Sequence, residues 1–318
     1  MSAVRTQIIP SFTLSESACG LQDHDESLQV PWELRLIGML QKGQSRANNC
    51  NSGFDPVPVR CILGIMPYYE SDMTSDDWTV SYFDDTYRRL FLDTVTEART
   101  RAQVQAILRI VPLLPDSVVL DVGCGLGRHS IEFASLGFRV TGIDMNADYV
   151  AACRARCLAL GVPADFFVAD ARSMQLSLRA DLVLSLWSSF GYYGEDGDGA
   201  ILCHMAAHMN TGARLFLDVE NGDYVIRHFV AEEWHETGGE VIVERRRLNV
   251  VEGTVCTRRL VVSPSSRTEY HRTLRMYTPA ELSRLLQLAG LHVEEWYGDY
   301  DGSRLGSESK RMIAVAVK

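Results

Sequence analysis

The sequence predicts a doubly wound α/β domain with an inserted antiparallel meander, and three observations carry that prediction. Five short apolar runs, "SVVLDV", "RVTGID", "DFFVAD", "DLVLSL" and "RLFLDV", alternate with other segments, several of helical period. They are rich in Val, Leu, Ile and Phe, as expected of strands covered on both faces. The first run passes into a glycine-rich turn, "VGCGLGRHS", of the kind that presents backbone N–H groups at a helix start. Farther along, three segments alternate with period two.

Length and composition bound the reading. With 318 residues, 46% hydrophobic and 23% charged, the chain can bury one large core or two modest ones, since domains usually run about 100–200 residues. The sequence holds neither a long uninterrupted apolar run nor a charged-then-apolar leader, so no membrane partner and no secretion are expected, and the expected location is cytoplasmic. Eight cysteines lie scattered without a CxxC pair or a Cys/His cluster at ligand spacing, which predicts reduced thiols and no metal. Cys153 and Cys157 share a helix face and read as core. The formal net charge of −10 opposes an extended nucleic-acid surface.

Taken in chain order, residues 1–65 read as an N-terminal appendage. The stretches "LSESACGLQDHDES" and "GQSRANNCNSG" have no sustained period, as in a poorly ordered tail or a chain started ahead of Met66 or Met73. Residues 66–318 form the main domain. In it, "SYFDDTYRRLFLDTVTEARTRAQVQAILRIV" places Leu90, Phe91, Val104, Ile107 and Leu108 at helical spacing, predicting one or two helices ahead of the sheet. "NADYVAACRARCLALG" has Asn146 to cap its start and Gly161 its end. "TPAELSRLLQLAG" shows a capping box in Thr278 and Glu281, Pro279 at the first helical position and Gly290 at the stop. The meander, at about 239–277, comprises "EVIVERRRLNVV", "TVCTRRLVVS" and "TEYHRTLRMY", with a turn at Glu252–Gly253. Inserted after the fifth strand, it is expected to stand over the crevice where open α/β sheets bind ligands.

Gly123, Gly125 and Gly127 make G-x-G-x-G, and Arg128 stands where a dinucleotide fold has its third glycine. Asp121 interrupts the strand just before the turn. Its carboxylate would repel a pyrophosphate and suits a ligand whose near end is cationic.

"LDVGCGLG" resembles the first motif of class I S-adenosylmethionine-dependent methyltransferases, and the resemblance continues in order from about Asp76 to Lys318. It implies a Rossmann-like seven-stranded sheet with its last strand antiparallel, and S-adenosyl-L-methionine as cofactor beside Asp121, Gly123, Gly125 and Gly127. Asp144 and Met145 in "VTGIDMN" match the end of the second strand, where such enzymes hold the ribose. Asp170 and Ala171 in "FFVADAR" match the adenine subsite. Leu186 and Trp187 in "ADLVLSLWSSFGYYG" match the backbone at the methionine end, and Tyr82, Tyr87, Arg99 and Thr100 the groups that close over its tail. "SYFDDTYRRLF", "WSSFGYYG", "MYTPAEL" and the closing "YGDYDGSRLGSESKRMIAVAVK" are similar to a small-molecule branch related to amino-sugar N-methyltransferases and glycine N-methyltransferase. A small-molecule acceptor is therefore expected, with N or O left open, as is the oligomeric state.

A sulfonium methyl is already activated, so alignment is the main task, worth about 7–11 kcal/mol in favourable cases. The candidates at the acceptor are His271 in the meander and Tyr192 after the fourth strand, with Tyr193, Asp299 and Asp301 framing the pocket. His129 reads as structural, and Arg128 as either a first-turn residue or a ligand contact. Of the meander arginines, Arg245, Arg246, Arg247, Arg258, Arg259, Arg272 and Arg275, about half should face solvent by alternation; any facing inward would suit a carboxylate or phosphate. Two alternatives stay open: a catalytically silent S-adenosylmethionine-binding partner or sensor, and an NAD-type oxidoreductase, disfavoured by Asp121 and Arg128.

Overall fold

The computed structural model describes residues 7–8 and 78–318. Apart from strand β1 (Gln7–Ile8), the expectations for residues 1–65, Met66 and Met73 lie outside the described residues. The described residues divide into two compact units, a larger one of residues 78–229, 246–258 and 270–318 and a smaller one that includes residues 230–245 and 259–269.

In the larger unit the five apolar runs form β2 (Val118–Val122), β3 (Arg139–Asp144), β4 (Asp165–Val168), β5 (Ala180–Ser185) and β6 (Met209–Glu220). With β11 (His292–Tyr297) and β12 (Arg311–Val317) they make a seven-stranded sheet of order β11-β12-β6-β5-β2-β3-β4. β2 to β6 run parallel, and β12 lies antiparallel to both β6 and β11. Period-two alternation sends neighbouring side chains to opposite faces. Val119, Leu182 and Phe216 pack with Val104 and Ile107 of α3 (Glu97–Ile110) and Phe133 of α4 (Arg128–Ser135). Leu120, Val183 and Leu215 pack with Leu202 and Met205 of α6 (Gly194–Ala207) and Leu282 and Leu286 of α8 (Pro279–Leu288). Each such side chain contributes about 1.5–3 kcal/mol on burial. Helices on both faces make the domain doubly wound, as predicted.

The expectation of two covered faces fails at β4, where Phe167 and Val168 are 45% and 53% exposed. The reason is position: β4 ends the sheet. Arg154 of α5 (Ala147–Leu160) donates from Nε and Nη2 to the Phe166 carbonyl. Cys153 and Cys157, on the same helix, pack with Ile131, Val150 and Phe166 as core.

Capping chemistry sets the helix ends. Asn146 Oδ1 accepts the N–H groups of Asp148 and Tyr149, and Gly161 closes α5 at φ 65°. The Thr278–Glu281 capping box is fully formed. Ahead of α3 lie α1 (Trp78–Tyr82), α2 (Asp85–Tyr87) and a π-helical turn at Arg88–Leu92, shorter pieces than the one or two helices predicted; α7 (Gly222–Arg227) follows β6.

The second sheet has the order β1-β7-β8-β9-β10, with β7 (Glu232–Thr237), β8 (Glu240–Asn249), β9 (Thr254–Val262) and β10 (Arg267–Arg275). The predicted three-stranded meander thus gains a strand before it. "EEWHET" carries one large apolar residue, Trp234, and shows little alternation, yet β7 is tied to β8 by antiparallel pairing and by Glu232 on Arg245 at 2.8 Å. Within the smaller unit Val243, Leu260 and Val262 form a core against Trp234 and Val241, beside the buried Arg259–Glu244 pair at 2.6 Å. Within the larger unit Val255, Leu274 and Met276 pack with Tyr192 and Leu248. Among the described residues, no helix is long and apolar enough to cross a membrane and no His/Cys/Asp/Glu group could hold a metal ion.

Candidate active site

The site is built at the carboxyl ends of β2, β3 and β5. Gly123, Gly125 and Gly127 have φ values of 74°, 56° and 66°, a left-handed region that costs an L-residue roughly 1–2 kcal/mol. A Cβ on Gly123 would meet the Ser189 β-carbon at 2.7 Å, and one on Gly127 the Cys153 sulfur at 2.8 Å, whereas nothing lies within 4 Å of one on Gly125. The outer glycines therefore serve packing, and the middle one leaves the loop open.

Two acids frame this loop. Asp121 is 2% exposed and accepts the Ser130 hydroxyl at 2.5 Å. Burial pushes its carboxyl up to about 6 against the opposing Ser130 bond and the nearby Arg128 charge. Asp144 Oδ2 accepts the Gly125 N–H at 2.8 Å and Oδ1 the Asn146 N–H at 2.9 Å. Burial raises its carboxyl too, opposed by those backbone bonds. A carboxylate has about four lone-pair sites, and with a further backbone bond from Met145 about one remains for a ligand hydroxyl.

Arg128 begins α4 and also reaches the site. Its Nη1 donates to Thr100 Oγ1 at 3.1 Å and Gln103 Oε1 at 2.7 Å, and the guanidinium lies 4.3 Å from the Trp187 ring centre. Burial draws it down to about 10, so it stays charged at neutral pH. Arg99 lies over the same ring at 5.0 Å. His129 shares Gln103 Oε1 at 3.0 Å, and burial first, then Arg128, hold it well below the usual histidine range. A neutral, hydrogen-bonded imidazole fits the structural role read from the sequence.

A cavity of about 560 Å³ opens here. Its wall includes Thr100, Asp121, Gly123, Gly125, Asp144, Met145, Ala171, Leu186 and Trp187 of the sequence-predicted donor set, together with Thr79, Phe83, Tyr87, Tyr192 and Tyr193. Gly127, Asp170, Tyr82 and His271 are not on that wall. Gly127 instead starts α4. Asp170 turns to Arg172, which grips both its oxygens at 2.7–3.1 Å and stacks 4.2 Å over Tyr193; that bond holds the Asp170 carboxyl low. Tyr82 is buried among Phe83, Tyr87 and Tyr270, with ring centres 5.2, 5.4 and 6.1 Å away.

For His271 the correction comes from strand phase. Tyr270 donates to Asp84 Oδ2 at 2.7 Å and Arg272 lies 5.8 Å over the Tyr82 ring, so alternation puts His271 on the opposite face of β10. Arg272 is the meander arginine that turns toward the aromatic cluster. Asp299 and Asp301 are likewise turned away, accepting the N–H groups of Tyr300 and Ser303 in their own turn, both exposed. The residue between them, Tyr300, goes inward.

Sequence reasoning missed Phe83 and Asn146, which joins α5 to the segment ahead of the sheet by donating to the Phe83 carbonyl at 2.7 Å. It also missed Asp218, Tyr300 and Arg311, a buried cluster behind Trp187. The available signal was Tyr300 itself, a large aromatic residue between two turn-forming aspartates.

Residues 119–212 match the family model described as a methyltransferase domain. The cypemycin N-terminal methyltransferase of a Streptomyces species is 26% identical over 215 residues, 64% of this chain and 83% of that one. Two solved structures share the fold. An S-adenosylmethionine-dependent methyltransferase from Clostridium acetobutylicum aligns at TM-score 0.63 and 13% identity, over 73% of this chain and 96% of that one. An amino pentose methyltransferase from Micromonospora echinaspora, solved with S-adenosylmethionine bound, aligns at TM-score 0.54 and 19% identity, over 74% and 98%. Fold, motif order and the family match over residues 119–212 support a class I S-adenosylmethionine-dependent methyltransferase. The chain is an enzyme that uses S-adenosylmethionine as its methyl donor.

Proposed function

We propose that the enzyme methylates an amine nitrogen of a small-molecule acceptor, with no nucleic-acid or membrane partner. The observation that carries this reading is the set of Phe83, Tyr87, Tyr192 and Tyr193 on the wall, four side chains that themselves offer rings and phenols and no group basic at neutral pH, on a lining that also holds the carboxylates of Asp93, Glu97 and Glu132. Burial first, then the Tyr87 neighbour, holds the Tyr192 phenol far above its ordinary range, and burial raises Tyr193 as well. Both stay protonated. A hydroxyl acceptor would gain from a positioned base, whereas a neutral amine carries its own lone pair. Aromatic faces also favour a cationic, methylated ammonium product. Two of the similar proteins are named for an N-terminus and for an amino pentose.

The residues present fit the donor. The open loop at Gly125 admits close backbone approach, Asp144 keeps a lone pair for a ribose hydroxyl, and the Arg128 and Arg99 guanidiniums over Trp187 suit a carboxylate. When bound, the donor supplies a methyl group already activated by its sulfonium. The protein's part is alignment. Tyr192 and Tyr193 accept an N–H of the amine and aim its lone pair, the buried aromatic cluster excludes water, and Asp121 favours a cationic donor. The donor would give its methyl carbon to that nitrogen and leave as the neutral thioether, and the methylated ammonium would lose its proton to water.

The test is a panel of amino sugars and short peptides with free N-termini, each paired with its hydroxyl isostere, incubated with donor and read by mass spectrometry. Amines gaining one methyl group while the isosteres do not is the expected result. Preferential methylation of the hydroxyl compounds would overturn the assignment to nitrogen.

A further inference from the structure

We infer that Asp218 is a positioning residue which, through Tyr300, Arg311 and the Trp187–Ser188 turn, sets the end of the cavity that receives the donor's amino-acid tail. This rests on the donor lying in the cavity as described above.

The starting observation is backbone strain. Trp187 and Ser188 have φ values of 59° and 60°, and among the described non-glycine residues only Asp116 shares a positive φ. Two successive residues in this conformation persist only where their surroundings impose it, and such strain gathers at functional sites. Here the imposing residue is Asp218, fully buried near the carboxyl end of β6. Its Oδ2 accepts the Trp187 N–H at 3.0 Å, and its backbone carbonyl accepts the Ser188 N–H at 3.0 Å.

The same carboxylate is held by two other partners. Tyr300 donates its hydroxyl to Oδ2 at 2.8 Å, and Arg311 donates to Oδ1 from Nε at 2.7 Å and pairs through Nη2 at 2.6 Å. Arg311 Nη1 also donates to Ser188 Oγ at 3.1 Å, so the turn is gripped at both residues. Fully buried, held by three hydrogen bonds and absent from the cavity wall, Asp218 does not face a ligand and acts through the turn. β12 brings Arg311 into place by pairing with β6, Ile313 opposite Asp218.

The turn in turn fixes the indole. Arg128 and Arg99 stack on the Trp187 ring, and Arg128 Nη2 is buried without a hydrogen-bond partner. Trp187, Arg128 and Thr100 all line the cavity. An unpaired N–H on a fixed guanidinium is matched by a carboxylate. Asp218 therefore governs a fork for the carboxylate of the tail without touching it.

Calorimetry on the full chain with two ligands tests this: S-adenosylhomocysteine, and 5′-methylthioadenosine, which keeps the nucleoside but lacks the amino-acid tail. Asp218→Asn is expected to weaken the first about tenfold or more, the scale of a charge-assisted hydrogen bond, and to leave the second within about twofold. Adding Ser188→Gly should recover part of the loss, because glycine takes the left-handed conformation unaided. Asp218→Asn strands the Arg311 charge, so Tyr300→Phe, which keeps the ion pair, decides if that variant does not fold. It is expected to show the same split between ligands at smaller size. Equal weakening of both ligands by Tyr300→Phe, or of neither, would overturn the inference while leaving the donor reading intact. A wild-type protein that binds neither ligand would overturn the donor reading itself, and this inference with it.

Discussion

A methyl group added at Gly123 would sit 2.7 Å from the Ser189 β-carbon, at a φ of 74° that L-residues rarely adopt. Gly123→Ala is therefore expected to cost roughly 1–2 kcal/mol in backbone strain alone and to displace the loop from Ser189. Titration with S-adenosylhomocysteine should show a loss of more than about tenfold in affinity from a protein whose circular dichroism is unchanged. Asp121 makes the opposite compromise. Its carboxyl is raised from 3.8 to about 6 by burial, so its contribution to stability is fully present below about 4 and is lost as pH rises through about 6. At about 1.4 kcal/mol per pH unit, the ionised form costs the fold a few kcal/mol at neutral pH. Asp121→Asn is expected to raise the melting temperature of the ligand-free protein at neutral pH and to leave it little changed under acid conditions. It should also weaken the cationic donor more than the neutral S-adenosylhomocysteine. The same sign makes wild-type donor affinity fall as pH drops below about 6, which calorimetry across that range would check.

At the scale of elements, α8 depends on its capping box, in which Thr278 Oγ1 accepts the Glu281 N–H and Glu281 Oε2 accepts the Thr278 N–H. Thr278→Ala should lower unfolding free energy by about 1 kcal/mol in a denaturant titration and leave donor affinity unchanged, since the box lies off the cavity wall. The segment ahead of the sheet is held differently, by Tyr270 of β10 on Asp84, Tyr149 of α5 on the Asp84 carbonyl and Asn146 on the Phe83 carbonyl. Tyr270→Phe releases one of these ties and should raise KM for the acceptor more than it weakens the donor. These elements also show what the sequence could disclose. β2, β3, β5 and β6 were legible because strands buried on both faces leave continuous apolar runs, and α5 and α8 because Asn146, Thr278 and Glu281 cap locally. β7 was not, since pairing and the Glu232–Arg245 bridge hold it where apolar alternation is weak. In β10 the period is legible in the sequence but not its phase, so His271 stands as a candidate at the acceptor while Tyr270 and Arg272 are the residues that turn to the aromatic cluster. The Trp187–Ser188 turn was hidden further still, because neither residue type announces a left-handed backbone and Asp218 meets Arg311 across 93 residues.

For the whole molecule, the site residues come from β2, β3, β5, α3, α4 and the segment ahead of the sheet, and all belong to the larger unit. A ligand that touches so many elements of one unit binds the native state and not the unfolded chain, so its binding free energy adds to stability by mass action. S-adenosylhomocysteine at about a hundredfold excess over its Kd should add about 2.7 kcal/mol. For a domain of this size that corresponds to a rise of roughly 5–10 °C in melting temperature. NAD offers the contrasting case, because its pyrophosphate would meet the Asp121 carboxylate and Arg128 stands where a dinucleotide loop needs a third glycine. The same excess of NAD is expected to leave the melting temperature where it was. A rise with NAD comparable to that with S-adenosylhomocysteine would mean that the acid in front of the glycine loop does not select for a cationic sulfur, and the charge argument for the donor would have to be abandoned.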